Sequence, residues 1–240
     1  MKERQHQPET AQILPQSLVD RIMGEYRAVA ARKAWRGMER PELPLEGQQI
    51  VLRGWQHHDL KTWSFWLEPG HPWKELDGPY YPPPSAEERA AMLDQKRAEI
   101  QERPSASPPR SLVIAGRHSD AFLGLVTWYW ESKETLWPGL GIVIFDQTQW
   151  SRGIGYEALG LWTDFLFRAM PEITRLDLRT WSGNRGMMRL AEKLGYREEA
   201  RFRQARIVGD EFYDGLGYGI LREEWLRRHP DGFTASTCDR

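Results

Sequence analysis

The strongest constraint on the fold lies at residues 141–158, where an apolar run passes through a two-glycine loop directly into a helix. The loop reads Phe145-Asp146-Gln147-Thr148-Gln149-Trp150-Ser151-Arg152-Gly153-Ile154-Gly155-Tyr156. Apolar residues then recur at Ile154, Ala158, Leu161, Trp162, Phe165 and Ala169, a helical spacing that puts Gly153 and Gly155 at the helix N-terminus. The first amides of a helix have no intrahelical partner, and the helix dipole is positive there. Glycine lets an anion approach the backbone closely, and Arg152 adds positive charge. Such a junction suits a pyrophosphate.

Three readings compete for the loop. A helix start with two glycines for close packing needs no ligand. A dinucleotide site would use Gly153-Ile154-Gly155-Tyr156-Glu157-Ala158 as G-x-G-x-x-A, with Asp177 about 20 residues on. Asp177, however, is expected mid-strand in residues 175–180, whereas a ribose is met at a strand end. A nucleoside triphosphate loop is excluded because no Gly-Lys-Ser/Thr follows. The third reading is coenzyme A, and the downstream sequence favours it.

After a strand expected over 173–181, Met187, Leu190, Ala191 and Leu194 fall on one face of a short helix that Gly195 would end. Together these segments resemble the GNAT acetyltransferases, in particular the branch with the ribosomal-protein alanine N-acetyltransferases. That branch carries Trp-x-x-Gly-x-x-Thr-Glu-Ala; here Trp150, Gly153, Glu157 and Ala158 match, with Tyr156 in place of Thr. Asn184, Leu194-Gly195-Tyr196, Tyr213-Asp214 and Glu224-Trp225 follow in the family's order. Leu52-Arg53 and Asp59-Leu60 match its opening strand and helix. The resemblance spans about residues 48–225.

It implies an α+β fold: a mixed, mostly antiparallel sheet of six to seven strands flanked by helices. An N-terminal helical extension (1–47) would precede the acetyltransferase domain (48–228), with a tail at 229–240. It implies an acetyl-CoA-dependent N-acetyltransferase that moves the acetyl group directly to a primary amine, on a protein N-terminus or a small molecule. Val143, Ile144 and Phe145 would face the pantetheine arm and thioester. Arg152, Gly153, Ile154, Gly155 and Tyr156 would hold the pyrophosphate through backbone amides, and Asn184 would contact the cofactor. No metal is implied.

The catalytic acid is where the chain departs from the family. The family's Tyr seven residues after the Asn is Ala191 here, and a Ser used three residues after it is Met187. Asn184, Ser182, an ordered water or Tyr213 are the remaining candidate donors, and Glu131, Asp146 and Asp214 the candidate bases. This gap sustains an alternative, a coenzyme A-binding protein of this fold with little turnover and a sensing or scaffolding role.

Composition bounds the rest. A net charge of −1 gives no electrostatic case for nucleic acid or an anionic membrane. The single cysteine, Cys238, excludes a disulfide framework within the chain. Residues 1–12 lack an apolar signal segment, so the expected location is the cytoplasm. An amphipathic helix is expected over 17–35, a linker at 41–47, and a helix opened by a capping box at Ser85 and Glu88. Hairpins are expected at 111–130 and 199–221, with frayed residues after Arg228. The helical extension and twelve tryptophans are compatible with a homodimer.

Overall fold

The computed structural model describes residues 17–18, 20–21, 23–25, 42–102 and 108–233. Of the helix expected over 17–35, Ser17, Leu18, Asp20, Arg21, Met23, Gly24 and Glu25 are helical. Its other residues, most of the extension and Cys238 lie outside the described residues.

Among the described residues the sheet has eight strands: β1 (Leu45–Glu46), β2 (Ile50–Arg53), β3 (Ser111–Gly116), β4 (Phe122–Ser132), β5 (Trp137–Ile144), β6 (Arg175–Trp181), β7 (Arg197–Val208) and β8 (Glu211–Leu221). Their spatial order is β1-β2-β3-β4-β5-β6-β8-β7. Every neighbouring pair is antiparallel except β5 and β6. The helices are α1 (Asp59–Leu67), α2 (Ala86–Glu102), α3 (Ile154–Ala169), α4 (Arg185–Leu194) and α5 (Arg222–Arg228).

The eighth strand corrects the expected six to seven, and it comes from the supposed linker. Leu45 and Glu46 pair with Leu52 and Val51. Glu157, in the first turn of α3, is buried and accepts the backbone N–H groups of Gln48 and Gln49. A buried carboxylate needs such donors, so this one contact ties the β1–β2 turn to α3.

The two faces of the sheet bury different cores. On one, α3 lays Ala158, Trp162, Phe165 and Leu166 against Leu52, Ile114, Val126 and Leu140. Trp162 Nε1 donates to the Thr127 carbonyl at 3.0 Å. On the other, Leu60, Trp63 and Leu67 of α1 join Trp73, Val113, Phe122, Leu125 and Phe145. The capping box forms as expected: Ser85 N–H donates to Glu88 (2.7 Å), and Glu88 N–H to Ser85 Oγ (3.2 Å). Gly195 ends α4 in the left-handed region, φ 93°.

Residues 229–233 are not frayed. Phe233 is 1% exposed and stacks on Trp225 at 5.7 Å, and a Cβ at Gly160 would run into its ring. Glycine at 160 is therefore the seat of this aromatic plug. Phe233→Ala should lower stability by about 3 kcal/mol, read as a lower denaturant midpoint with an unchanged slope.

Candidate active site

β5 stays paired with β4 along its whole length, from Trp137 opposite Ser132 to Ile144 opposite Gly124. Its pairing with β6 covers two positions, Gly139–Asp177 and Leu140–Leu178. Beyond them the parallel strands part. Phe145 N–H donates to the Leu123 carbonyl at 3.1 Å. Backbone direction alternates along a strand, so Val143 turns its amide groups to β4 while Ile142 and Ile144 turn theirs into the opening.

The loop after β5 is built to reach a helix N-terminus in a tight space. Asp146 accepts the Thr148 N–H at 2.8 Å and caps a 3-10 turn, Gln147–Gln149. Ser151 has φ 60°, and Gly153, the residue before α3, has φ 89°. The first intrahelical bond is Glu157 N–H to the Gly153 carbonyl at 3.0 Å, so the amides of Ile154, Gly155 and Tyr156 precede it and have no intrahelical acceptor. Gly155 sits where three elements meet: an added Cβ would stand 3.5 Å from Ile144 Cδ1 on β5 and 3.4 Å from Leu190 Cδ2 on α4. Exposed Arg152 flanks these amides, and Lys193 places its ammonium 4.4 Å from the centre of the Tyr156 ring.

Asn184 caps α4. Its Oδ1 accepts the Met187 N–H at 3.0 Å, and its Nδ2 donates to the Leu76 carbonyl at 3.1 Å. Trp181, the last residue of β6, donates its Nε1 to the same carbonyl at 3.0 Å. Trp150 donates its Nε1 to the Ile144 carbonyl at 2.8 Å, inside the opening.

The expected site residues therefore divide. Ile144, Gly153, Ile154 and Gly155 converge at the opening, with Arg152 and Tyr156 beside them and Asn184 at the head of α4. Phe145 is turned elsewhere: its N–H is held by Leu123, and its ring is 2% exposed, stacked on Phe122 at 5.6 Å and edge-on to Trp73 at 5.0 Å. Val143 faces β4 with its backbone and the α1 core with its side chain. Glu131 lies near the far end of the β4–β5 ladder from Ile144 and pairs with Arg179 at 3.0 Å.

The other candidates also have structural partners. Asp214 accepts the Gln204 N–H at 3.0 Å and pairs with Arg201 at 2.9 Å; these contacts hold its carboxyl below the usual range. Ser182 Oγ accepts the Asp214 N–H at 2.9 Å. Tyr213 donates its hydroxyl to Glu211 at 2.7 Å, which raises its pKa and keeps it protonated at neutral pH. Its ring stands edge-on to Trp181 at 4.9 Å.

The dinucleotide reading fails on Asp177. That residue is 4% exposed in the middle of β6, between Gly139 and Gly219, and accepts from Arg175 at 2.7 Å. It cannot reach a ribose beyond a strand end. The opening instead offers an extended run of strand backbone followed by helix-terminal amides, which fits an amide-bearing arm that ends in a pyrophosphate.

Comparison with known proteins agrees. Residues 49–197 match the family model described as the acetyltransferase (GNAT) domain. The chain belongs to the GNAT acetyltransferase family. It is an acetyl-CoA-dependent acetyltransferase by that membership. Solved structures share the fold at low identity. A GNAT-family acetyltransferase from Bacillus anthracis has a TM-score of 0.61 and 16% identity, over 76% of this chain and 100% of that one. A spermidine N-acetyltransferase from Vibrio cholerae, solved with CoA and spermine, has a TM-score of 0.61 and 16% identity, over 75% and 99%. A protein provisionally identified as a ribosomal-protein-serine acetyltransferase from Vibrio cholerae has a TM-score of 0.53 and 19% identity, over 77% and 99%. No curated protein matches the sequence significantly.

Sequence reasoning missed Glu157, Trp150, Trp181 and the Leu76 carbonyl. The first two stand inside the recognised motif. A backbone acceptor such as Leu76 carries no sequence signal.

The two glycines of the loop should respond differently to alanine. Gly153→Ala forces a side chain into φ 89° and should cost about 1–2 kcal/mol of stability. Gly155→Ala, with ordinary contacts at 3.4 and 3.5 Å, should leave stability within about 0.5 kcal/mol of wild type in the same denaturant titration.

Proposed function

We propose that this acetyltransferase moves the acetyl group of acetyl-CoA directly to a primary amine, either a protein N-terminus or a small molecule. The observation that carries the reading is the parting of β5 from β6 after Leu140, immediately before a helix whose first three amides have no intrahelical acceptor. Ile142 and Ile144 would pair with the pantetheine arm through their backbone. The amides of Gly153, Ile154, Gly155 and Tyr156 would bind the pyrophosphate, aided by Arg152, and Asn184 would contact the cofactor from the head of α4. Acetyl-CoA held there supplies the thioester that a neutral amine attacks.

The chain's own contribution is mainly positional. Holding amine and thioester in contact removes much of the entropic cost of a bimolecular step. Glu131, Asp146 and Asp214 each hold a structural partner, so proton removal from the amine falls to solvent in the cleft. Tyr213, packed edge-on to Trp181, is the proposed donor to the leaving thiolate, its hydroxyl turning from Glu211 to the sulfur. The motif likeness to the ribosomal-protein alanine enzymes supports a peptide N-terminus; a polyamine is the competing acceptor.

Thermal unfolding with acetyl-CoA, coenzyme A and NAD in parallel tests the cofactor. At about 100 times the dissociation constant a native-state ligand adds about 2.7 kcal/mol. A higher melting temperature with the two coenzyme A species and none with NAD is expected; a shift with NAD alone overturns the reading. Free-thiol release against peptides with N-terminal alanine or serine, and against spermidine, then tests turnover. Cofactor binding without thiol release for any amine would favour the sensing or scaffolding alternative. Tyr213→Phe keeps the ring on Trp181 and removes the hydroxyl. It should lower kcat by about 100-fold with acetyl-CoA affinity unchanged; an unchanged kcat removes Tyr213 from the chemistry.

A further inference from the structure

Residues 72–81 run from α1 to the far side of the opening between β5 and β6, and they are held at three points. Trp73 is 5% exposed in the core under α1, edge-on to Phe145 at 5.0 Å, with its Nε1 donating to the Trp66 carbonyl at 3.0 Å. Leu76 presents its carbonyl to Trp181 Nε1 and Asn184 Nδ2. Tyr80 lies under the Arg206 guanidinium of β7 at 4.8 Å. The first anchor stands next to the end of β5 and the second at the end of β6. The segment is a strap across the place where the two strands have parted.

The middle anchor is unusual in its chemistry. Two side-chain donors from consecutive elements, the end of β6 and the cap of α4, converge on one backbone oxygen, using both of its lone pairs. The Trp181 ring is itself seated: a Cβ at Gly183 would run into it, and Tyr213 packs on it edge-on. Asn184 is thus fixed by two bonds, its oxygen by its own helix and its amide by the strap. An amide nitrogen has two N–H groups, so the bond to Leu76 orients the second one while leaving it able to donate. A side chain whose orientation is already set loses less freedom when it meets a ligand.

We propose that the strap and coenzyme A binding are coupled through Asn184, with Trp181 as the positioning residue that holds the strap in register. This rests on the coenzyme A reading of the site above. Coupling of this kind is reciprocal: cofactor must tighten the strap as much as the strap favours cofactor. The strap beside the opening is thereby firmer when coenzyme A is bound than when the site is empty.

Hydrogen exchange of residues 72–81 in the full chain, with and without free coenzyme A, gives the test alongside calorimetric coenzyme A affinity. The amides of Leu76, Asp77 and Tyr81, which donate within the segment, and of Lys74, which donates to the His71 carbonyl just before it, are reporters; amides of α3 are the folding control. Saturating coenzyme A should slow strap exchange in the wild type. Trp181→Phe keeps an aromatic side chain, smaller than the indole, and loses the N–H; strap exchange should rise and coenzyme A affinity fall by at least about five-fold, with α3 unchanged. Tyr80→Leu, at the third anchor, should act in the same direction and serves if Trp181→Phe disturbs α3. In Asn184→Ala, coenzyme A should no longer slow the strap at saturation. Faster strap exchange with unchanged affinity would overturn the coupling while leaving the cofactor assignment intact. So would a strap that still responds to coenzyme A in Asn184→Ala. A wild type that binds no coenzyme A would instead defeat the functional reading itself.

Discussion

Two rungs of parallel pairing, Gly139–Asp177 and Leu140–Leu178, are the strand pairing that joins the two halves of this sheet among the described residues. Everything functional depends on how short that seam is. A longer seam would satisfy the backbone of Ile142 and Ile144 within the sheet and leave no edge for a ligand. Because the strands part there, a stretch of peptide groups faces an opening in the middle of the sheet, where an unpaired edge would otherwise be costly.

The protein manages that opening with side chains from both banks. On the β5 side, Trp150 closes back onto the Ile144 carbonyl. On the β6 side, Trp181 and Asn184 grip the strap at Leu76. Underneath, α3 shares one buried core with Leu52, Val126 and Leu140 of the first half and with Leu176 and Leu178 of the second. Its first turn also holds the β1–β2 turn through Glu157. One helix therefore brings amides with no intrahelical acceptor to the opening and shares its core with both halves of the sheet. A buried Arg222 closes the other end of that helix, donating to the carbonyls of Phe167, Met170 and Ile173.

Local elements were legible because local rules decided them. The Ser85–Glu88 capping box, Gly195 as a helix stop and the hairpins around 111–130 and 199–221 all follow from residue spacing and turn chemistry over a few positions. The two-glycine loop was legible for the same reason: glycine placement and helical periodicity mark a helix start whatever surrounds it. What was missed is non-local. Leu45 and Glu46 look like a linker because their pairing depends on Leu52 and on Glu157, more than a hundred residues away. Phe233 looks frayed because Gly160 makes its seat. Phe145, adjacent to the loop in sequence, points away from the opening because alternation along β5 sends its ring to the α1 core.

The sequence by itself determined the strand–loop–helix junction, the order of the elements and thereby the family, since each is written in contiguous residues with a direct backbone consequence. The tertiary structure alone decided which of those residues meet. It separated Glu131 from the loop, gave Asp177 to Arg175, and committed the carboxylates of Asp146 and Asp214 to backbone amides. It also brought the Leu76 carbonyl to Trp181 and Asn184. Hydrogen bonds to backbone groups depend on the path of the chain rather than on the identity of the residue that supplies the carbonyl, and a path is settled only when the whole core packs.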